Sequence, residues 1–390
     1  MTNRLRARLE RGPLLTAVVY TGTGMLPIFL ISTQVLQIEA DIGFGVAQLA
    51  LATTCFFAAA ALASNVGGGI VSRLGPSVGI RLGSSMTILS CLLAGTAVVS
   101  WMIPLAAVFG GIGNGVIQVG SNVAIFDGVR QGRQGLAYGA KQAAVPTASI
   151  LAGLALPAIG LLFGWRWVFA GAVALALVLA VSTPELRRGD GATRVEQPVG
   201  RLSVSMIWLG IAGITGAAAG SGLSLFVVPS AVEIGIGEAA AGAILAFCSA
   251  LVVVVRIGVG WLVDRRRSSG HLEMAVITAV GAAASFVLTT ADAPALYLVS
   301  MPIPLLGTWG WQGVIFYTLV TTYPEIPAKA SGMLLSSNLT GTLIGPLVVG
   351  AFAGRDDYAG AWVFVSICAA LATMGFVVAR RATEPARLSR

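Results

Sequence analysis

Between residues 14 and 380 the chain passes through twelve apolar stretches, separated by short polar turns and one longer polar segment. A membrane-spanning helix needs about 20 consecutive apolar residues. On that ruler the spans are placed at 14–38, 46–72, 79–100, 103–127, 135–163 and 166–183, and again at 203–231, 239–263, 271–291, 294–322, 329–353 and 359–380. The division between the fifth and sixth spans rests on Gly164-Trp165-Arg166 alone. Soluble domains carry about 25% charged residues, whereas this chain carries 10%, with 56% hydrophobic residues. The expected class is an all-α polytopic membrane protein. The basic N-terminus (Arg4, Arg6, Arg8, Arg11) leads into an apolar run reaching Ile38, too long for the core of a signal peptide, so an uncleaved first helix is expected.

The charges give an orientation. Twenty of the 24 Lys and Arg residues fall in alternate loops and the two tails: the N-terminal arginines, Arg73 and Arg81, Arg130 and Arg133, the 184–202 linker, Arg265 to Arg267, Lys329 and the C-terminal tail. The opposite loops hold only Arg166 and Arg355. Basic residues mark the cytoplasmic side, so both termini are expected there, in a cytoplasmic membrane. The same placement accounts for the net charge of +8, and no nucleic-acid partner is expected. All 16 acidic residues lie outside the spans or at their ends, none at mid-membrane, and the remaining cations, Lys141 and Arg256, lie within spans. Cys55, Cys91, Cys248 and Cys368 fall inside spans without paired spacing and read as small core hydrophobes, with no metal or cofactor expected.

Two segments share a grammar: Gly68-Gly-Ile-Val-Ser72-Arg73-Leu-Gly75, and Gly260-Trp-Leu-Val-Asp264-Arg265-Arg266-Arg267. A second echo, Trp167-Val168-Phe169 and Trp362-Val363-Phe364, lies at nearly the same offset. The chain therefore divides into two related halves, residues 1–183 and 203–390, joined by the linker at 184–202. The pattern G-x-x-x-D-R-x-G after an even-numbered span resembles the loop motif of the major facilitator superfamily, whose second copy follows the eighth helix. The resemblance covers essentially the whole chain. It implies twelve transmembrane helices in two pseudo-symmetric six-helix bundles, usually monomeric. It also implies a cytoplasmic latch built from Gly68, Arg73, Gly75, Gly260, Asp264 and Arg265, with the glycines at 68 and 260 allowing close helix approach. Ser72 stands where the motif has aspartate, and Arg267 where it closes on glycine.

Charges within a bilayer point to function by default. Lys141 lies eight residues beyond Arg133 and Arg256 eight before Asp264, so each sits about 12 Å into its helix. In the superfamily the fifth and eighth helices are neighbours across the halves, which implies two cations at matched depth beside a central cavity. An anionic substrate would answer them, with Arg as a fork and Lys as a movable point charge. The alternative is structural: both snorkel, or bond to helix carbonyls and Asp127. Gln142 adds a donor and an acceptor beside Lys141, and Pro146 is expected to kink that helix. The stretch Gly139 to Pro146 resembles the fifth helix of bacterial small-anion facilitators of the cyanate and nitroimidazole type. Arg256 with Asp264-Arg265 is more weakly similar to monocarboxylate carriers.

The resemblance also implies that helices one, four, seven and ten line the cavity. The fourth carries Asn114, Gln118 and Ser121 on one face with Asn122 beside them, which is either substrate contact or polar glue between helices. Tyr20 in the first helix, and Trp309 and Gln312 in the tenth, are further candidates, the aromatic residues being either core or an apolar wall that selects by shape.

The function expected is transport of a small organic anion, with the lipid bilayer and a coupling proton as further partners. The alternative is efflux of neutral or anionic drugs or metabolites. No G-x-x-x-x-G-K-[ST] is present for primary transport, and the only histidine, His271, lies at a loop end with no catalytic constellation around it, so an enzyme is not expected.

Overall fold

The computed structural model describes residues 3–129, 134–186, 203–266, 268–323, 327–355 and 357–388. Every regular element among them is a helix: α1 (Asn3–Thr33), α2 (Val35–Ile42), α3 (Val46–Leu74), α4 (Pro76–Gly95), α5 (Met102–Gly128), α6 (Gln134–Ala155), α7 (Leu161–Phe163), α8 (Trp165–Val181), α9 (Val204–Glu233), α10 (Glu238–Arg266), α11 (His271–Leu288), α12 (Pro294–Ser300), α13 (Pro302–Trp309), α14 (Gln312–Thr322), α15 (Pro327–Ala353) and α16 (Tyr358–Leu388). Nine of the described helices are long and apolar enough to cross a membrane alone. A shorter apolar helix is α8, and the tenth and eleventh expected spans fall on α12–α14 and α15.

Three of the expected spans are interrupted. The first breaks at Gln34 between α1 and α2. The tenth is cut into α12, α13 and α14, because Pro302 has no N–H to continue the ladder and the turn at Gly310 shifts the pairing. There the Gly313 amide donates to the Gly310 carbonyl and Val314 to Trp311, at i−3 rather than i−4. The fifth span carries Pro146 inside α6. It changes helix type at Pro157, inside a π-helical turn (Leu156–Gly160) that leads into α7. The boundary at Gly164 is real: its φ of 95° suits glycine and separates α7 from α8.

The chain forms two compact units, residues 1–192 with 237–247 and residues 193–236 with 248–390. In the first, α5 packs backbone-close against α3. A Cβ at Gly111 or Gly115 would collide with the carbonyl of Phe56 or Ala60. In the second, α15 packs on α9 in the same way, with Gly341 and Gly345 against the carbonyls of Ile214 and Ala218. Small residues supply packing area where the bilayer supplies no hydrophobic drive between helices. The second unit also holds an aromatic core, Trp311 against Phe376 at 5.4 Å between centroids, beside Met206, Leu209 and Leu334. Cys91, Cys248 and Cys368 are buried and Cys55 partly so, all as free thiols.

Candidate functional site

Each unit encloses one of the two intramembrane cations. Lys141 on α6 is 2% exposed. Its ammonium donates to Asn122 Oδ1 at 2.5 Å and to the Gln118 carbonyl at 3.4 Å, both on α5. No carboxylate lies within ion-pair distance of it among the described residues. The positive charge is therefore held by neutral dipoles alone, which costs free energy that a paired charge would recover. Of the structural alternatives, Lys141 makes the bond to a helix carbonyl, that of Gln118.

Arg256 on α10 is also 2% exposed. Its Nε and Nη2 both donate to the Trp309 carbonyl, at 3.0 and 2.9 Å, and Nη2 donates again to Gln312 Oε1 at 2.8 Å. The guanidinium carbon lies 5.4 Å from the centroid of the Trp309 ring. The break between α13 and α14 places the Trp309 carbonyl and the Gln312 amide side by side, and the rigid fork of arginine spans both. The helix-carbonyl alternative thus describes Arg256 well.

The other candidates divide. Trp309 and Gln312 meet Arg256. Gln118 contributes its carbonyl to Lys141, while the closer partner is Asn122, which the sequence places only beside the polar face of α5. Its position one turn beyond Gln118 is the signal that could have found it. Asn114 is 4% exposed, and its Oδ1 is enclosed against Gly24 of α1 with no hydrogen-bond partner among the described residues. Gln142 is half-buried, one residue round the helix from Lys141. Tyr20 meets the end of α8. Its hydroxyl donates to the Leu179 carbonyl at 2.5 Å and accepts from Thr183, clamping α1 to the end of α8.

The latch residues are also redistributed. Gly75 has a φ of 90° and forms the turn between α3 and α4, with Pro76 at the first helical position, so this glycine serves backbone conformation. Arg73 is exposed and Gly68 half-buried. At Gly260 a Cβ would meet nothing within 4 Å among the described residues, which make no close approach there. The Asp264 side chain lies outside the described residues. Arg265 is exposed, with its guanidinium 5.1 Å from the centroid of Trp261 on its own helix.

At the opposite end of the first unit, a cluster that no sequence pattern announces joins α2 to α8. Asp41 accepts from the Arg166 guanidinium and from Trp165 Nε1, the latter at 3.1 Å, and Arg166 donates further to the Ala97 carbonyl. The Arg166 bond, with help from Trp165, holds the Asp41 carboxyl below the usual carboxylate range.

Comparison with known proteins agrees with this architecture. The sequence profile of the Major Facilitator Superfamily matches residues 14–327. A search of curated proteins finds no significant match. Two crystal structures of a bacterial homolog to the human lysosomal transporter Spinster, both inward-facing, are similar in fold at 18% sequence identity. The occupied form gives a TM-score of 0.73 over 95% of this chain and 96% of that one. The unoccupied form gives 0.75 over 98% of each.

Proposed function

This chain belongs to the major facilitator superfamily, and from that premise we propose that it is a secondary transporter moving a small organic anion across the cytoplasmic membrane by alternating access. Membrane transport without chemical conversion is the family's activity. The anion is the finer reading, and one observation carries it: Lys141, buried, with Asn122 and a helix carbonyl as its acceptors among the described residues. A carboxylate or similar anion reaching this ammonium replaces a neutral acceptor by a charged one, and charge-assisted bonds are roughly twice as strong. Asn122 then serves as the resting partner, keeping the ammonium bonded when substrate is absent. Arg256 adds a second positive charge to the potential of its own unit while its fork stays on α13 and α14. A proton, on this reading, travels as part of the substrate's own weak acid. The positive-inside pattern supports cytoplasmic termini, and the carrier is read as a monomer.

The test is a ligand-induced thermal shift on detergent-purified protein, screened over small carboxylates, cyanate-like anions, neutral metabolites and organic cations. A ligand that binds only the folded state stabilises by about 2.7 kcal/mol at a hundredfold excess over its dissociation constant. The expected result is a shift with anions that disappears in Lys141→Ala. Hits confined to neutral compounds or cations, and retained in the variant, would reject the anion and favour an exporter of neutral metabolites.

A further inference from the structure

Helix α10 carries two faces of opposite chemistry. One buries Val252, Arg256 and Val263. The other, at i, i+3, i+4, i+7 and i+11, presents Val254, Ile257, Gly258, Trp261 and Arg265, all exposed. Val254 is 65%, Ile257 55% and Trp261 58% exposed. A Cβ at Gly258 would meet nothing within 4 Å, so the stripe has a shallow gap between its apolar side chains. The apolar crossing ends at Val263, and Arg265 and Arg266 stand just beyond it, both exposed. No carboxylate lies within ion-pair distance of Arg265 among the described residues, and its guanidinium rests on the Trp261 ring. By sequence this arginine belongs to a latch against a neighbouring helix. In the structure it faces outward.

An occupant of this surface must be apolar along Val254 to Trp261 and anionic at the arginines. We propose that this end of α10 is a binding site for an anionic phospholipid, with an acyl chain along the Gly258 gap and the phosphate on Arg265 and Arg266. The guanidinium fork matches two phosphate oxygens, and the cation–π contact holds Arg265 against the stripe. Trp261 occupies the headgroup level, where indole rings are enriched. A soluble acidic protein would meet the arginines but not the apolar half of the stripe.

The experiment compares the purified protein in nanodiscs of phosphatidylcholine alone with nanodiscs containing phosphatidylglycerol, reading melting temperature and lipid retention by native mass spectrometry. Phosphatidylglycerol is expected to raise the melting temperature and to be retained, and phosphatidylcholine is not. Arg265→Gln or Arg266→Gln should each weaken retention about fivefold, and the pair about thirtyfold, in line with the contribution of one basic residue near an anionic surface. Trp261→Ala should weaken it further, and Trp261→Phe should largely restore it. All three positions are exposed, and a monodisperse elution profile verifies the fold of each variant. Equal stabilisation by the two lipids, or a double variant that keeps its preference, would overturn the site. If glycerol phosphate reproduced the whole shift, the arginines would be a plain anion site and the lipid assignment would be wrong.

Discussion

The two buried cations are held in opposite ways. Arg256 grips a break in a neighbouring helix with two nitrogens on one carbonyl, a third bond to an amide and an aromatic face beside it. Lys141 holds one side-chain amide and one longer bond to a carbonyl of an unbroken helix. The first cation braces the fold, because removing it would leave several acceptors unanswered. The second, on the proposed reading, exchanges its Asn122 bond for one to the substrate anion. Equal burial and equal depth in the sequence therefore conceal unequal roles.

That contrast can be broken by substitution. The largest expected effect is Arg256→Ala, which strips the Trp309 carbonyl and Gln312 of their donors and should lower stability by about 3 kcal/mol. Arg256→Lys should rescue only part of it, since an ammonium cannot span the same acceptors. Thermal unfolding in detergent reads both. A variant with unchanged melting temperature would remove the brace from the account.

Next comes Gly220→Ala. Its Cβ would collide with the Trp309 ring and lie 2.9 Å from the Thr308 carbonyl, pushing the bracing carbonyl off Arg256. Overpacking of this kind costs about 2 kcal/mol, and a second-site change of Trp309 to a smaller residue should recover part of it.

Lys141→Met should act the other way round. Replacing a buried charge by an apolar chain of similar length is often neutral or stabilising, here by about 1 kcal/mol, while anion binding falls at least about tenfold, or 1.4 kcal/mol. Asn122→Ala sharpens the point. It removes the resting partner, so anion affinity should rise about fivefold as stability falls by about 1 kcal/mol. Titration calorimetry and melting curves on the two variants separate binding from folding. Loss of stability without loss of binding in Lys141→Met would make this lysine a second brace.

The smallest effect concerns the Asp41 cluster. A carboxyl whose folded value is depressed contributes stability at pH above its unfolded value, and that contribution fades as pH drops through the folded one. For Asp41 the loss therefore sets in only below the ordinary 3.8. Arg166→Gln should remove that acid-side component, so melting temperatures of wild type and variant converge as pH falls below about 4.

Much of this is legible in the sequence. Membrane class and the all-helical fold follow from the apolar runs, since the bilayer constrains sequence directly. The importance of Lys141 and Arg256 is legible for the same reason, a charge in hydrocarbon being conspicuous. Tyr20 and Asn122 could not be ranked, because Tyr20 is taken by the end of α8 and Asn122 is chosen by the approach of α6. Leu179 lies 159 residues from Tyr20, and although α6 follows α5 directly, the rotation that sets Lys141 on Asn122 is not written in hydropathy or spacing. At the second loop motif, Arg265 lies over Trp261, and a Cβ at Gly260 would meet nothing within 4 Å among the described residues.

By itself, then, the sequence determined that this chain crosses a membrane repeatedly as helices, with two cations enclosed. Those properties arise from each segment's own encounter with hydrocarbon. Tertiary structure alone decided which polar groups answer those cations, that the tenth crossing would break where Arg256 could hold it, and which face of α10 would be left uncovered. Such choices depend on which helices pack backbone-close through their glycines and how each is rotated. A rotation of one residue, about 100° on a helix, exchanges a buried partner for an exposed one without altering composition or hydropathy.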